Sequence, residues 1–195
     1  KIVVISPDYN APGAKANYWI GTRPGLSDTS VLLAITKIMM DNNWIDEEFI
    51  KQFTDFPLLV RTDTLRRLRP EEVIQGYKNK DLRDGPSYKI QALTDEQREL
   101  IGDFTLWDEE TGEVAVVTRE NVGDKANMNA ALNGVFKVRT IDGEEVEVMP
   151  AYEMYKRHLQ DYDLQSVEEI SGAKPALVER LARDIWETSK AGHPV

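Results

Sequence analysis

Four consecutive β-branched apolar residues, Ile2-Val3-Val4-Ile5, stand almost at the start of the chain and stop at Pro7. Such a run suits a strand covered on both faces, where no side needs to meet water. Proline, with no backbone N–H, ends it. Residues 10–17 are small and polar and include Pro12 and Gly13. They are expected to form a loose turn or short helix crossing to a second strand at Tyr18–Gly21. A crossover of that kind implies parallel strands and an α/β architecture. The second strand runs into Arg23-Pro24-Gly25-Leu26-Ser27-Asp28 and then into a helix over 28–41, where Val31, Leu32, Ile35, Ile38 and Met39 recur at helical spacing. Ser27 or Asp28 fits its N-cap. Two strand ends that deliver polar groups side by side are a nucleotide-binding arrangement in open α/β sheets.

Asn42-Asn43 close that helix, Asp46 caps another over Glu47–Phe53, and Leu58-Leu59-Val60 read as a short strand. From 61 to 132 the pattern loosens. Arg61, Arg66, Arg67 and Arg69 crowd together, and Asp84-Gly85-Pro86 is a turn. Phe104–Trp107 and Val114–Val117 flank Asp108–Gly112 as a hairpin. A second hairpin, Val135–Ile141 with Val146–Met149, is expected to turn through a type I′ Asp142-Gly143 pair. Helices follow over 151–160, 164–170 and 175–190, the last with Leu177, Leu181, Ile185 and Trp186 on one face; Ile170-Ser171-Gly172-Ala173 is the stop before it. The expected fold is α/β: a Rossmann-like parallel sheet segment with an inserted β-hairpin region and C-terminal helices. The division expected is 1–60 as the α/β segment, 61–132 as an insertion with a hairpin, and 133–195 as a second hairpin and helices returning to the α/β part.

Charge and cysteine content narrow the function classes. The 195 residues hold 24 Lys+Arg against 34 Asp+Glu, a net charge of −10. That field repels phosphate backbones, so nucleic acid is not an expected partner. A bound nucleotide remains compatible, because local donors and acceptors decide there. With no cysteine, these residues supply no disulfide, thiolate metal site or cysteine-ligated iron–sulfur cluster. The apolar stretches are too short to span a membrane, and no signal peptide is visible. Residue 1 is Lys, the strand pattern begins at once, and Ala191-Gly192-His193-Pro194-Val195 reads as a helix stop followed by a new strand. The expectation is a piece of a longer chain.

Two stretches are candidate sites. Ser6-Pro7-Asp8-Tyr9 follows the first strand; Asp8 suits ribose hydroxyls and Tyr9 suits packing on a ring, or the four are a plain loop with an Asx-turn. In Arg23–Asp28, Pro24 and Gly25 let backbone approach a ligand. The Asp28 carboxylate suits a guanine edge with its two neighbouring N–H donors, or Ser27 and Asp28 merely cap the helix. The Arg61–Arg69 run reads as a solvated face, with an anion or a partner subunit as the alternative. His158 and His193 have no neighbour at metal-ligand spacing. Trp19, Trp44, Trp107 and Trp186 read as core or hairpin anchors. No self-contained catalytic constellation is present.

The run Ile5-Ser6-Pro7-Asp8-Tyr9, then Ala16-Asn17-Tyr18-Trp19, Arg23-Pro24-Gly25 and Asp28, resembles the molybdopterin-guanine-dinucleotide oxidoreductases of the DMSO reductase superfamily. Within them it is similar to the nitrate reductase, ethylbenzene dehydrogenase and perchlorate reductase branch, and most of all to catalytic α subunits of the nitrite oxidoreductase and respiratory nitrate reductase type. Phe53–Arg61, Asp63-Thr64, Leu68-Arg69, Gly134–Val138, Asp142-Gly143, Ile170–Gly172 and Leu181–Arg183 continue the likeness. It implies that Ser6, Pro7, Asp8 and Tyr9 line one wall of a nucleoside pocket. Arg23, Pro24, Gly25 and Asp28 line the other, with Asp28 reading guanine. It further implies a Mo-bis-molybdopterin guanine dinucleotide centre moving oxygen between nitrite and nitrate, and a 4Fe-4S cluster whose ligands lie outside this chain. An iron–sulfur β subunit and a haem or membrane-anchor subunit are the implied partners. The implied location is at a membrane through those subunits, on the periplasmic rather than the cytoplasmic side. Sister enzymes of chlorate, perchlorate, selenate or hydrocarbon chemistry are the alternative, and a stand-alone acidic nucleotide-binding module is another. Two spellings differ from the family's: Gly25-Leu26-Ser27-Asp28 is one residue longer than Gly-Thr-Asp, and Asn17 replaces an Asp.

Overall fold

The computed structural model describes residues 1–25, 27–79, 94, 102–118 and 128–192. It is mixed α/β and forms two compact units, Lys1–Ile45 with Tyr155–Val195, and Asp46–Met154. The turn expected at 84–86 and the strand expected after Gly192 lie outside the described residues, as do Leu26 and His193.

In the first unit, β1 (Val3–Ser6) pairs in parallel with β2 (Tyr18–Gly21), in register from Val3–Tyr18 to Ser6–Gly21. The crossover contains α1 (Ala11–Lys15), N-capped by Asn10, whose side chain accepts from the Gly13 N–H. Asn17 ties the start of β1 to this crossover: its Oδ1 accepts from Ile2 N–H at 2.7 Å, and its own N–H donates to Ile2 O. Helix α2 (Asp28–Asp41) buries Val31, Ala34 and Ile35 against Ile20 of β2. Asn42 and Asn43 stop it as expected. Asn43 is left-handed at φ 54°, and the Trp44 N–H returns to Met39 O at 2.8 Å, a Schellman closure.

Two C-terminal helices complete this core. In α6 (Leu164–Ser171), Asp163 caps the start and Gly172 (φ 74°) the end. In α7 (Pro175–Lys190), Val178 and Ala182 join the α2 core. Trp44 and Trp186 stack at 6.5 Å.

Two expectations are corrected here. β1 is half-buried along all four residues, not covered on both faces. Among the described residues only β2 pairs with it, and Val3 and Ile5 alone point to the core. Leu32 is 56% exposed: it lies one residue, about 100° of helix, from the Val31 row that packs inward.

In the second unit, α3 (Glu47–Phe53) starts at Asp46, whose carboxylate accepts from Phe49 N–H. Strand β3 (Leu59–Arg61) pairs antiparallel with β7 (Glu145–Pro150), and β7 with β6 (Phe136–Arg139). Helix α4 (Pro70–Val73) follows β3, and β4 (Phe104–Asp108) and β5 (Glu113–Val117) make the first hairpin. Trp107 stacks on Phe136 at 4.3 Å, joining hairpin to sheet. The second hairpin thus pairs with β3 in this unit. The chain rejoins the α/β part from Tyr155, within α5 (Ala151–His158). The hairpin's turn is not type I′, which needs positive φ at both central residues. Gly143 alone is positive (φ 84°), Gly143 N–H bonds Thr140 O, and Thr140 N–H bonds Glu144 O. Three residues therefore form the loop, with Gly143 as its left-handed corner.

Candidate functional site

The parallel register sets Ser6 beside Gly21, so both connecting loops leave the same edge of the sheet, at the carboxyl ends of the strands. The sequence-predicted residues Ser6–Tyr9 occupy the first loop and Arg23–Asp28 the second. Thr22, buried between them, joins the two: its N–H donates to Ser6 O at 3.3 Å, and its hydroxyl reaches Asp28 Oδ1 at 3.5 Å.

Trp19 organises the first loop. Its Nε1–H lies 3.1 Å from both Ser6 O and Ser6 Oγ. The Tyr9 ring meets it edge-on at 5.4 Å. Gly21 leaves room for the indole: a Cβ there would lie 2.7 Å from Trp19 Cη2. The Ser6 hydroxyl donates to Asp8 O at 2.7 Å, which folds the loop back on itself. Pro7, Asp8 and Tyr9 are exposed, Tyr9 by 64%. An aromatic face and a carboxylate therefore stand at the strand end.

In the second loop, Pro24 and Gly25 are exposed. Gly25 is left-handed (φ 87°), with no heavy atom within 4 Å of where a Cβ would sit. Ser27 is buried at the N-cap position but makes no side-chain capping bond; its hydroxyl donates instead to Arg23 O. Asp28 is exposed in the first turn of α2, where a carboxylate is favoured by the helix dipole. Arg23 is turned away from this edge. Its Nη1 donates to the carbonyls of Glu169 and Ile170 at the end of α6.

Asp8 and Asp28 are exposed acceptors beside an aromatic ring and an open glycine backbone. That set fits a nucleoside, whose ribose hydroxyls and base N–H groups are donors. Arg23, at the head of the second loop, is engaged by helix carbonyls.

The arginine run lies in the other unit. Arg61, Arg66, Arg67 and Arg69 line a cleft of about 480 Å³ with Thr64 and Glu72. Arg61 makes a bidentate pair with Asp63 (3.0 and 2.7 Å) and a third bond to Glu72 at 2.7 Å. The Arg61 guanidinium lowers the exposed Asp63 carboxyl to about 2. Arg67 lies over the Phe104 ring at 4.5 Å. His158 is exposed beside Tyr162. No helix of the described residues is long and apolar enough to cross a membrane.

Sequence reasoning missed Thr22 as the joint between the loops and the engagement of Arg23 by α6. A threonine after a strand carries no signal of its own, and the Arg23 contact spans 146 residues.

No protein-family model matches the chain. Over 196 residues it is 30% identical to the perchlorate reductase subunit alpha of Dechloromonas aromatica, covering 97% of this chain and 21% of that protein. It is 24% identical over 197 residues to the dimethylsulfide dehydrogenase subunit alpha of Rhodovulum sulfidophilum, covering 98% and 18%. It is 27% identical over 191 residues to the respiratory nitrate reductase subunit alpha of Haloferax mediterranei, again 98% and 18%. The chain thus spans about a fifth of the length of these curated relatives. The likeness is to the alpha subunits of two reductases and a dehydrogenase. It does not single out the nitrite oxidoreductase type, since the relatives divide among several substrates.

Proposed function

We propose that this chain is the segment of a molybdenum oxidoreductase catalytic subunit that holds the guanosine end of a Mo-bis-molybdopterin guanine dinucleotide. The observation that carries the proposal is the shared edge of β1 and β2. It presents Ser6–Tyr9 together with Pro24, Gly25 and Asp28, within a stretch alike over nearly its whole length to alpha subunits of reductases. Asp28 reads the base, Asp8 takes ribose hydroxyls, Tyr9 covers a ring, and Pro24 and Gly25 bring backbone close to the nucleoside. The bound cofactor supplies two-electron redox chemistry and oxygen-atom transfer; this segment anchors it so that the metal is held in place. The rest of the subunit carries a 4Fe-4S cluster. An iron–sulfur β subunit and a haem or membrane-anchor subunit take the electrons onward, at a membrane and on its periplasmic side.

For the substrate we propose nitrite, oxidised to nitrate, or the reverse. Chlorate or perchlorate reduction has equal support, from the perchlorate and chlorate reductase relatives. Assaying the full-length holoenzyme with nitrite, nitrate, chlorate and perchlorate separates these. Asp28→Ala in that enzyme tests the anchoring role. Loss of guanosine nucleotide and molybdenum is expected, and full retention of both would overturn it.

A further inference from the structure

We infer that Arg23 is a positioning residue, which fastens the loop bearing Gly25 and Asp28 to the C-terminal end of α6. The inference rests on reading the two loops as a nucleoside site. A helix leaves its last carbonyls without intrahelical partners, and they carry the negative end of its dipole. Arg23 meets that end twice. Its guanidinium donates to Glu169 O and, at 3.4 Å, to Ile170 O. Its backbone N–H donates to Ser171 O at 2.6 Å.

The helix side of the joint is built to present these carbonyls. Gly172 turns left-handed at φ 74°, a conformation that glycine takes without strain. A Cβ there would lie 3.5 Å from Arg23 Cγ. Ser171 is fully buried, donates to Val167 O at 2.6 Å and accepts from Ala173 N–H at 3.1 Å. On the loop side, Ser27 donates to Arg23 O, and Ser30 donates to Ser27 O at 2.6 Å. A continuous set of hydrogen bonds therefore runs from the end of α6 through Arg23 and Ser27 into the first turn of α2, where Asp28 stands. The carboxylate's position is set by a helix more than 130 residues away in sequence. Arg23 thus acts on the ligand through the loop.

The test uses the full-length holoenzyme carrying Arg23→Ala, Arg23→Lys, Gly172→Ala or Asp28→Ala. Two quantities are read: hydrogen exchange in segments 22–31 and 167–173, and guanosine nucleotide released per molybdenum. Arg23→Ala and Gly172→Ala should each speed exchange in both segments about tenfold and lower nucleotide content. Arg23→Lys, which keeps a donor for the carbonyls, should recover part of both. Asp28→Ala should lower nucleotide content and leave exchange at 167–173 unchanged. Gly172→Ala and Arg23→Lys carry the comparison should Arg23→Ala fail to fold. If Arg23→Ala lowers nucleotide content with exchange at 167–173 unaltered and Gly172→Ala silent, Arg23 touches the ligand itself and the inference falls. If both segments loosen while neither Arg23→Ala nor Asp28→Ala changes nucleotide content, the nucleoside reading fails and the positioning role with it, although the joint stands.

Discussion

Replacing Gly21 by alanine should strain the first loop through one side chain. A Cβ at position 21 would lie 2.7 Å from Trp19 Cη2, 3.0 Å from Cζ2 and 3.2 Å from Cζ3. Ordinary carbon contacts begin near about 3.5 Å, so the indole must retreat by most of an ångström. It is a rigid ring, held by Nε1 bonds of 3.1 Å to Ser6 and by the edge of Tyr9. Overpacking of this kind costs about 1–3 kcal/mol, and loosening the indole N–H bonds adds about 1 kcal/mol. Gly21→Ala should therefore lower stability by about 2–4 kcal/mol, read as a shift in the urea midpoint at constant slope. Trp19→Phe removes the atoms that clash. In its background the alanine should cost less than about 1 kcal/mol, a coupling of about 1–3 kcal/mol in the double-mutant cycle. A neutral Gly21→Ala, or additivity within about 0.5 kcal/mol, would refute the placement of Trp19 over the end of β2.

Two further outcomes follow from the same unit and its neighbour. The Asp184 carboxyl is held below its usual range, first by the Lys1 ammonium and then by the Tyr18 hydroxyl. The folded chain thus binds fewer acid protons than the unfolded one, and stability present above pH 3.8 is lost as pH falls through the folded value. The Tyr18 hydroxyl is pushed up to about 12, first by burial and then by its bond to Asp184, so stability should also fall between pH 10 and about 12. Asp184→Asn should flatten both limbs of a urea-midpoint profile against pH; unchanged limbs would contradict the assignment. In the second hairpin, Gly143→Ala at φ 84° should cost about 1–2 kcal/mol, whereas Asp142→Ala should cost under about 0.5 kcal/mol. Equal costs in thermal unfolding would restore a type I′ turn.

The elements legible in the sequence are those set by short-range chemistry. Helical periodicity and asparagine stops gave α2, Asp46 gave α3, and Pro7 closed β1. The crossover before Tyr18 made the parallel pairing readable, and with it the shared loop edge. What was not legible depends on partners distant in the chain. Asp142-Gly143 is a strong local signal for a two-residue turn, yet the β6–β7 register places three residues in the loop. Leu32 belongs by composition to the apolar row of α2 and by rotation to its outer face. Arg23 stands among site residues in sequence, and only the packing of α6 shows where its guanidinium goes. The pairing of the second hairpin with β3 was not legible either, because strand partners are chosen by registry across the fold.

The most direct measurement is the distance from the Asp28 carboxylate to the nucleoside base in an experimental structure of the full-length holoenzyme. A carboxylate oxygen about 3 Å from the base N–H groups, with Asp8 beside the ribose and Arg23 still on the carbonyls of α6, is the expected result. A base whose nearest carboxylate is not Asp28, or a dinucleotide lying in the Arg61–Glu72 cleft, would contradict the account.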